Sequence, residues 1–121
     1  MKFITMVKSK ERHGPPPQEL MQAIFESGAK ETAAGKLVMS GGLGPSAQSS
    51  VVRLENGEIT VTDGPFAESK ELVGGFAIFE VDSKEEAVEK AREFIELHKK
   101  HWPGWEGESE IRPLDTELPD A

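Results

Sequence analysis

Cysteine is absent from the chain, which removes disulfides, thiolate metal sites and cysteine nucleophiles together. Long apolar runs are absent too. No stretch approaches the ~18 residues of a membrane-crossing helix, and Met1-Lys2-Phe3 leads into an alternating strand pattern rather than a signal peptide. Basic residues are few, 14 against 22 acidic ones, for a net charge of −8. Phosphates are held by a basic face, so direct contact with nucleic acid is not expected. That charge leaves open contact with a protein that itself binds DNA. The Gly-x-Ser-x-Gly pattern is missing, and nucleophilic hydrolysis is not expected. These absences leave a soluble, cytoplasmic protein with no membrane segment.

What is present fits one domain spanning 1–121, long enough to bury about two-thirds of its unfolded surface. Lys2 to Lys8 alternates as a strand with apolar residues on both faces. A polar loop and three prolines lead to a helix, with Pro17 in its first turn and Gly35 closing it. Leu20, Met21, Ile24, Phe25 and Gly28 recur there at helical spacing, as a buried stripe does. Leu37 to Gly42 reads as a second strand and Val73 to Val81 as a third, apolar on both faces. Asp82-Ser83, followed by Glu85 and Glu86, starts a second helix running to about Lys100. Its buried stripe is Ala87, Val88, Ala91, Phe94, Ile95 and His98. Gly107 to Pro113 is the last strand, and 114–121 an acidic, loose tail.

Between the second and third of these strands lies a hairpin. Asn56-Gly57 is the strongest two-residue turn signal in the chain, since both central positions need φ > 0. It pairs Leu54 with Ile59, Arg53 with Thr60, Val52 with Val61 and Ser50 with Asp63. Period-two alternation puts Val52, Leu54, Ile59, Val61 and Asp63 on one face, the apolar one. A carboxylate there needs partners, or its pKa must rise. Asp63 opens the run Asp63-Gly64-Pro65-Phe66. A structural Asx turn to the residue two on is blocked, because Pro65 has no N–H. The carboxylate has the Phe66 N–H or a short helical cap within reach, and its alternative role is ligand contact or acid/base chemistry.

With the hairpin set aside, the order is strand–helix–strand–strand–helix–strand, that of an α+β ferredoxin-like fold. Two helices cover one face of such a sheet, yet two strands carry apolar residues on both. The simplest cover for the second face is another copy of the chain, so a homodimer is expected.

Gly41-Gly42-Leu43, the hairpin, Thr62-Asp63-Gly64-Pro65-Phe66-Ala67-Glu68 through Lys70-Glu71, and Gly74-Gly75-Phe76 resemble the YCII-related, or DGPF-domain, proteins. The likeness covers most of the chain in the expected order. It implies a ferredoxin-like dimeric α/β barrel with an inserted hairpin, and a small-molecule cleft near the dimer interface containing an aspartate, at the position of Asp63. The broader superfamily includes small lyases, isomerases and dehalogenating enzymes that use a His–Asp pair on small cyclic or acidic substrates. DGPF proteins are also often encoded beside extracytoplasmic-function sigma factors, which implies a sigma factor as partner and a part in transcription initiation. This chain departs from the His–Asp pattern: neither of the first two strands carries a histidine.

The remaining candidates are weighed against plain structural roles. His98 follows Phe94 and Ile95 on a buried stripe, as a packed histidine does, and is the candidate acid/base partner of Asp63. With His101 it forms an i, i+3 pair lacking a third ligand type, so no metal site is expected. Trp102, with His101 and Trp105, either packs the helix end against the last strand or rims the cleft. The glycines of Gly41-Gly42-Leu43-Gly44-Pro45 fit a tight turn better than a phosphate loop, which opens a helix. Glu68 and Lys70 are solvated loop charges or ligand contacts, Lys70 holding an anion or pairing with Asp63. Phe66 joins them as a ligand contact, and His13 is a surface or lid residue. Ser46 to Ser50 reads as a linker. No cofactor is expected.

Overall fold

Alternation in the first strand decides how the molecule is layered. The computed structural model describes residues 1–116, and in it Lys2–Lys10 forms β1. Phe3, Thr5 and Val7 are buried on one face of β1, while Ile4 and Met6 are half-buried on the other. The chain continues through α1 (Gln18–Ala33), β2 (Leu37–Gly42), β3 (Ser50–Glu55), β4 (Glu58–Asp63), β5 (Glu71–Glu80), α2 (Lys84–His101) and β6 (Gly107–Pro113). Single 3-10 turns lie at Glu11–His13 and Ser46–Gln48.

β2, β5, β1 and β6 form one antiparallel sheet in that order, and among the described residues β3 and β4 pair only with each other. This α+β arrangement is compatible with a ferredoxin-like fold. Register places Phe3 opposite Phe79 and Leu37 opposite Phe79 as well. These residues share the helix-covered face and join Val81 and Ala87 in the core. Full burial of a phenylalanine contributes on the order of 2 kcal/mol.

The second face of the sheet carries Ile4, Met6, Phe76, Ile78 and Met39, which register aligns across three strands. Ile78 is buried among its neighbours, but Met39 is 52% exposed. The hairpin has the register Leu54–Ile59, Val52–Val61 and Ser50–Asp63. Asn56 and Gly57 both take positive φ, 52° and 79°, as its two-residue turn demands. Its apolar face is not covered: Val52, Leu54, Ile59 and Val61 are 65–71% exposed.

Local signals account for the helix ends. Ser83 Oγ accepts the Glu86 N–H at 3.1 Å, capping α2. α1 closes with Lys36 N–H to Glu31 O and Gly35 N–H to Thr32 O, a Schellman pair. The α1 stripe is narrower than the sequence periodicity implies. Leu20 is fully buried, but Met21 and Phe25 are 49% and 73% exposed. Each lies one residue, about 100°, round from the Leu20–Ile24–Gly28 line that faces the sheet, and Gly28 sits against Leu37. Val88 is likewise exposed beside the buried Ala87 and Ala91. Ion pairs fasten the helices: Lys90 to Glu31 at 3.0 Å joins α2 to α1, and Lys36 to Glu86 at 2.5 Å joins the start of β2 to α2. Of the 114–121 tail, Leu114 donates its N–H to Lys2 O, and residues 117–121 lie outside those described.

Candidate functional site

The loop from Asp63 to Lys70 joins the hairpin to β5, and it is held by residues remote in sequence. Gly64 donates its N–H to Ser49 O at 2.8 Å. A Cβ on Gly64 would stand 1.6 Å from Ser46 O, so only glycine permits this approach. The Gly64–Pro65 peptide is cis. Phe66 donates its N–H to Ser46 Oγ at 3.0 Å. Ser46 is 3% exposed, and its own two donors both go to Glu11. Its N–H meets Oε2 at 2.8 Å and its hydroxyl meets Oε1. These two bonds hold the Glu11 carboxyl below its ordinary value, against a smaller upward push from burial.

The stretch 46–50 is therefore an anchor rather than a linker. Ser46 was hidden from sequence reading because its partners lie 35 residues back and 20 residues on, and no local spacing marks them. Glu11 was missed for the same reason.

Asp63 is exposed and accepts one hydroxyl proton, from Ser50 at 2.6 Å. The inward-facing reading fails because, among the described residues, nothing covers the hairpin's apolar face. The Phe66 N–H, the donor that sequence offered to Asp63, goes to Ser46 instead. The Lys70 ammonium lies 4.7 Å from the centre of the Phe66 ring, a cation–π distance. Glu68 is exposed and makes no hydrogen bond or ion pair among the described residues.

A second cluster forms where α2 ends. His98 is 6% exposed and its Nδ1 lies 3.0 Å from Phe94 O. A carbonyl only accepts, so Nδ1 carries the proton and Nε2 keeps its lone pair in the neutral ring. Burial pulls the His98 pKa down, and the Phe94 carbonyl opposes this more weakly. Trp105 packs on His98 with ring centres 4.5 Å apart, and Trp102 stacks at 6.3 Å. His13 reaches the cluster from the Glu11–His13 turn, 6.2 Å from Trp102 and 6.3 Å from Trp105. Its Nε2 accepts the Glu106 N–H at 3.4 Å. Trp102 thus packs the helix end, and His13 belongs to that packing.

A cavity of about 290 Å³ opens beside His13, lined also by Ser9, Lys10, Arg12, Glu71, Glu106 and Glu108. His98 bonds to Phe94 and Asp63 to Ser50, so no His–Asp hydrogen bond forms among the described residues. The Glu11–His13 turn stands between the two clusters: Glu11 holds the Asp63 loop, and His13 packs on the tryptophans. Among the described residues no group of three or more His, Asp or Glu is placed to hold a metal.

A family model for the YCII-related domain matches residues 1–95. An uncharacterized protein of Rhizobium meliloti (strain 1021) is 33% identical over 97 residues, covering 80% of this chain and 74% of that protein. The matched span contains Glu11, Ser46 and the whole Asp63 loop, and it stops before His98.

Proposed function

The chain belongs to the YCII-related domain family, and from that premise we propose that it is a homodimeric small-molecule-binding protein built around Asp63, with cofactor-independent acid/base chemistry at that carboxylate. The observation that carries this reading is the setting of Asp63. It sits where β4 meets an anchored loop, spends its carboxylate on a single hydroxyl among the described residues, and borders four apolar side chains that are 65–71% exposed. An ionised carboxylate has about four acceptor positions, so Asp63 keeps most of its capacity for a ligand.

A second copy packed on the hairpin and on the Ile4–Phe76 face of the sheet would bury those side chains and desolvate Asp63. In such a cleft Asp63 is placed to take a proton from a bound compound and return it. Small cyclic or carbonyl compounds, and elimination or isomerisation, match that chemistry. Lys70, Glu68 and Phe66 flank Asp63 in the same loop as ligand contacts. His98, Trp102 and His13 stand beyond the Glu11 turn, and a part for them in the cleft requires the second copy to close the gap.

The test is a binding screen of small anions and cyclic carbonyl compounds against wild type and Asp63→Asn, with the oligomeric state measured in parallel by sedimentation. Ligand-induced stabilisation of wild type that disappears in Asp63→Asn supports the reading. A dimer that binds nothing favours the other role open to this family member, a non-enzymatic accessory docking on a regulator such as an extracytoplasmic-function sigma factor. A monomer at micromolar concentration sinks the shared cleft.

A further inference from the structure

We infer that Glu11 is the positioning residue of the Asp63 loop, setting where that carboxylate stands by orienting the buried hydroxyl on which the loop hangs. The inference rests on the reading of Asp63 as the ligand group only for its functional meaning; the coupling itself stands on the geometry.

A serine hydroxyl has one proton and two lone pairs. In Ser46 the proton goes to Glu11 Oε1, which leaves the lone pairs to accept the Phe66 N–H at 3.0 Å. Glu11 Oε2 takes the Ser46 N–H at 2.8 Å. Both oxygens of one carboxylate thus engage both donors of one residue, and the hydroxyl has a single satisfied orientation. At 3% exposure Ser46 has little water to turn to, so a buried donor without its acceptor is costly.

The connection onward to Asp63 is rigid. Gly64 touches Ser46 O so closely that any rotation of the loop must carry the 46–49 turn with it. The Gly64 N–H to Ser49 O bond at 2.8 Å and the Ser50 to Asp63 bond at 2.6 Å tie the same two segments one and two residues further along. Glu11 thus holds Ser46, and four contacts tie the segment from Ser46 to Ser50 to the segment from Asp63 to Phe66. A glutamine at position 11 keeps one acceptor oxygen for the Ser46 N–H, but its NH2 meets the Ser46 hydroxyl as a donor. The hydroxyl proton then loses its acceptor, and the orientation that presents a lone pair to the Phe66 N–H is no longer fixed.

The experiment is native-state hydrogen exchange by NMR on wild type, Glu11→Gln, Ser46→Ala and the double variant, with the Asp63 carboxyl carbon resonance followed at pH 7. In Glu11→Gln the Phe66 amide is expected to exchange about tenfold faster, while Ile78 and Phe79 in the sheet keep their wild-type rates. The Asp63 resonance moves. Ser46→Ala gives the same loss at Phe66, and the double variant adds nothing further, because Glu11 reaches Phe66 only through Ser46. An unchanged Phe66 rate in Glu11→Gln, an unmoved Asp63 resonance, or equal losses at Phe66 and Ile78 overturn the inference. Should Glu11→Gln fail to fold, Glu11→Asp, which keeps the charge but draws the carboxylate back from Ser46, decides through the same two readouts. Neither readout uses a ligand, so a protein that binds no small molecule defeats the proposed function and leaves this inference standing.

Discussion

Asp63 is exposed at one end of a hairpin, and that setting determines what its replacement does. An asparagine there still accepts from Ser50, so Asp63→Asn is expected to change unfolding free energy by less than about 0.5 kcal/mol in urea at pH 7. A loss above about 1.5 kcal/mol would mean that the charge itself holds the loop. Its neighbour behaves oppositely. Gly64→Ala drives a methyl into the Ser46 carbonyl, and because backbone must move, a cost of about 3 kcal/mol is expected in the same measurement. His98 sets a pH window. Its folded pKa lies below the unfolded 6.5, so below that value the unfolded chain binds more protons than the native one. Stability is therefore complete above pH ~6.5 and falls as pH drops through the lower, folded value. Urea midpoints at pH 7.5 and 5.5 check this, with the wild-type drop shrinking in His98→Leu.

Elements were legible in proportion to how local their causes are. Asn56-Gly57 fixed the hairpin register through backbone conformation alone, and Ser83 with Glu86 marked the start of α2 through a cap that spans three residues. The width of the α1 stripe was not legible, because which turn faces the sheet depends on β2 and α2; Met21 and Phe25 fit the period and still face solvent. Ser46 and Glu11 were illegible for the stronger reason that a serine's burial depends on chains 20 and 35 residues away. The helix pair supplies a test at this scale. Lys90 and Glu31 have side chains only 18% and 15% exposed, and Glu31 Oε2 is buried without a partner. Lys90→Met leaves that carboxylate in low dielectric, and a loss of about 2 kcal/mol is expected by chemical denaturation.

For the whole molecule, the decisive quantity is apolar surface that a single chain leaves wet. A two-stranded hairpin alone is marginally stable in water, yet β3 and β4 form a complete six-pair ladder with their apolar side outward. A specific interface needs at least about 1,000 Å², and the hairpin face and the second face of the sheet are the candidate surfaces. Leu54→Lys with Ile59→Lys places two cations directly opposite each other on that face. If the proposed dimer uses that face, sedimentation equilibrium is expected to give a dimer for wild type and a monomer for this variant, with far-ultraviolet dichroism unchanged.

The Ser50–Asp63 bond has one more consequence. It lies at the root of the hairpin, where both strands leave the loop and the 46–49 turn. Among the described residues, everything beyond it, from Val51 to Thr62, pairs only within itself. The hairpin is thus a cassette clasped at its base. Strands lengthened or trimmed by two residues on each side keep their faces, because side chains alternate with a period of two. Such a graft changes how far the tip reaches while leaving the clasp, and the carboxylate in it, in place.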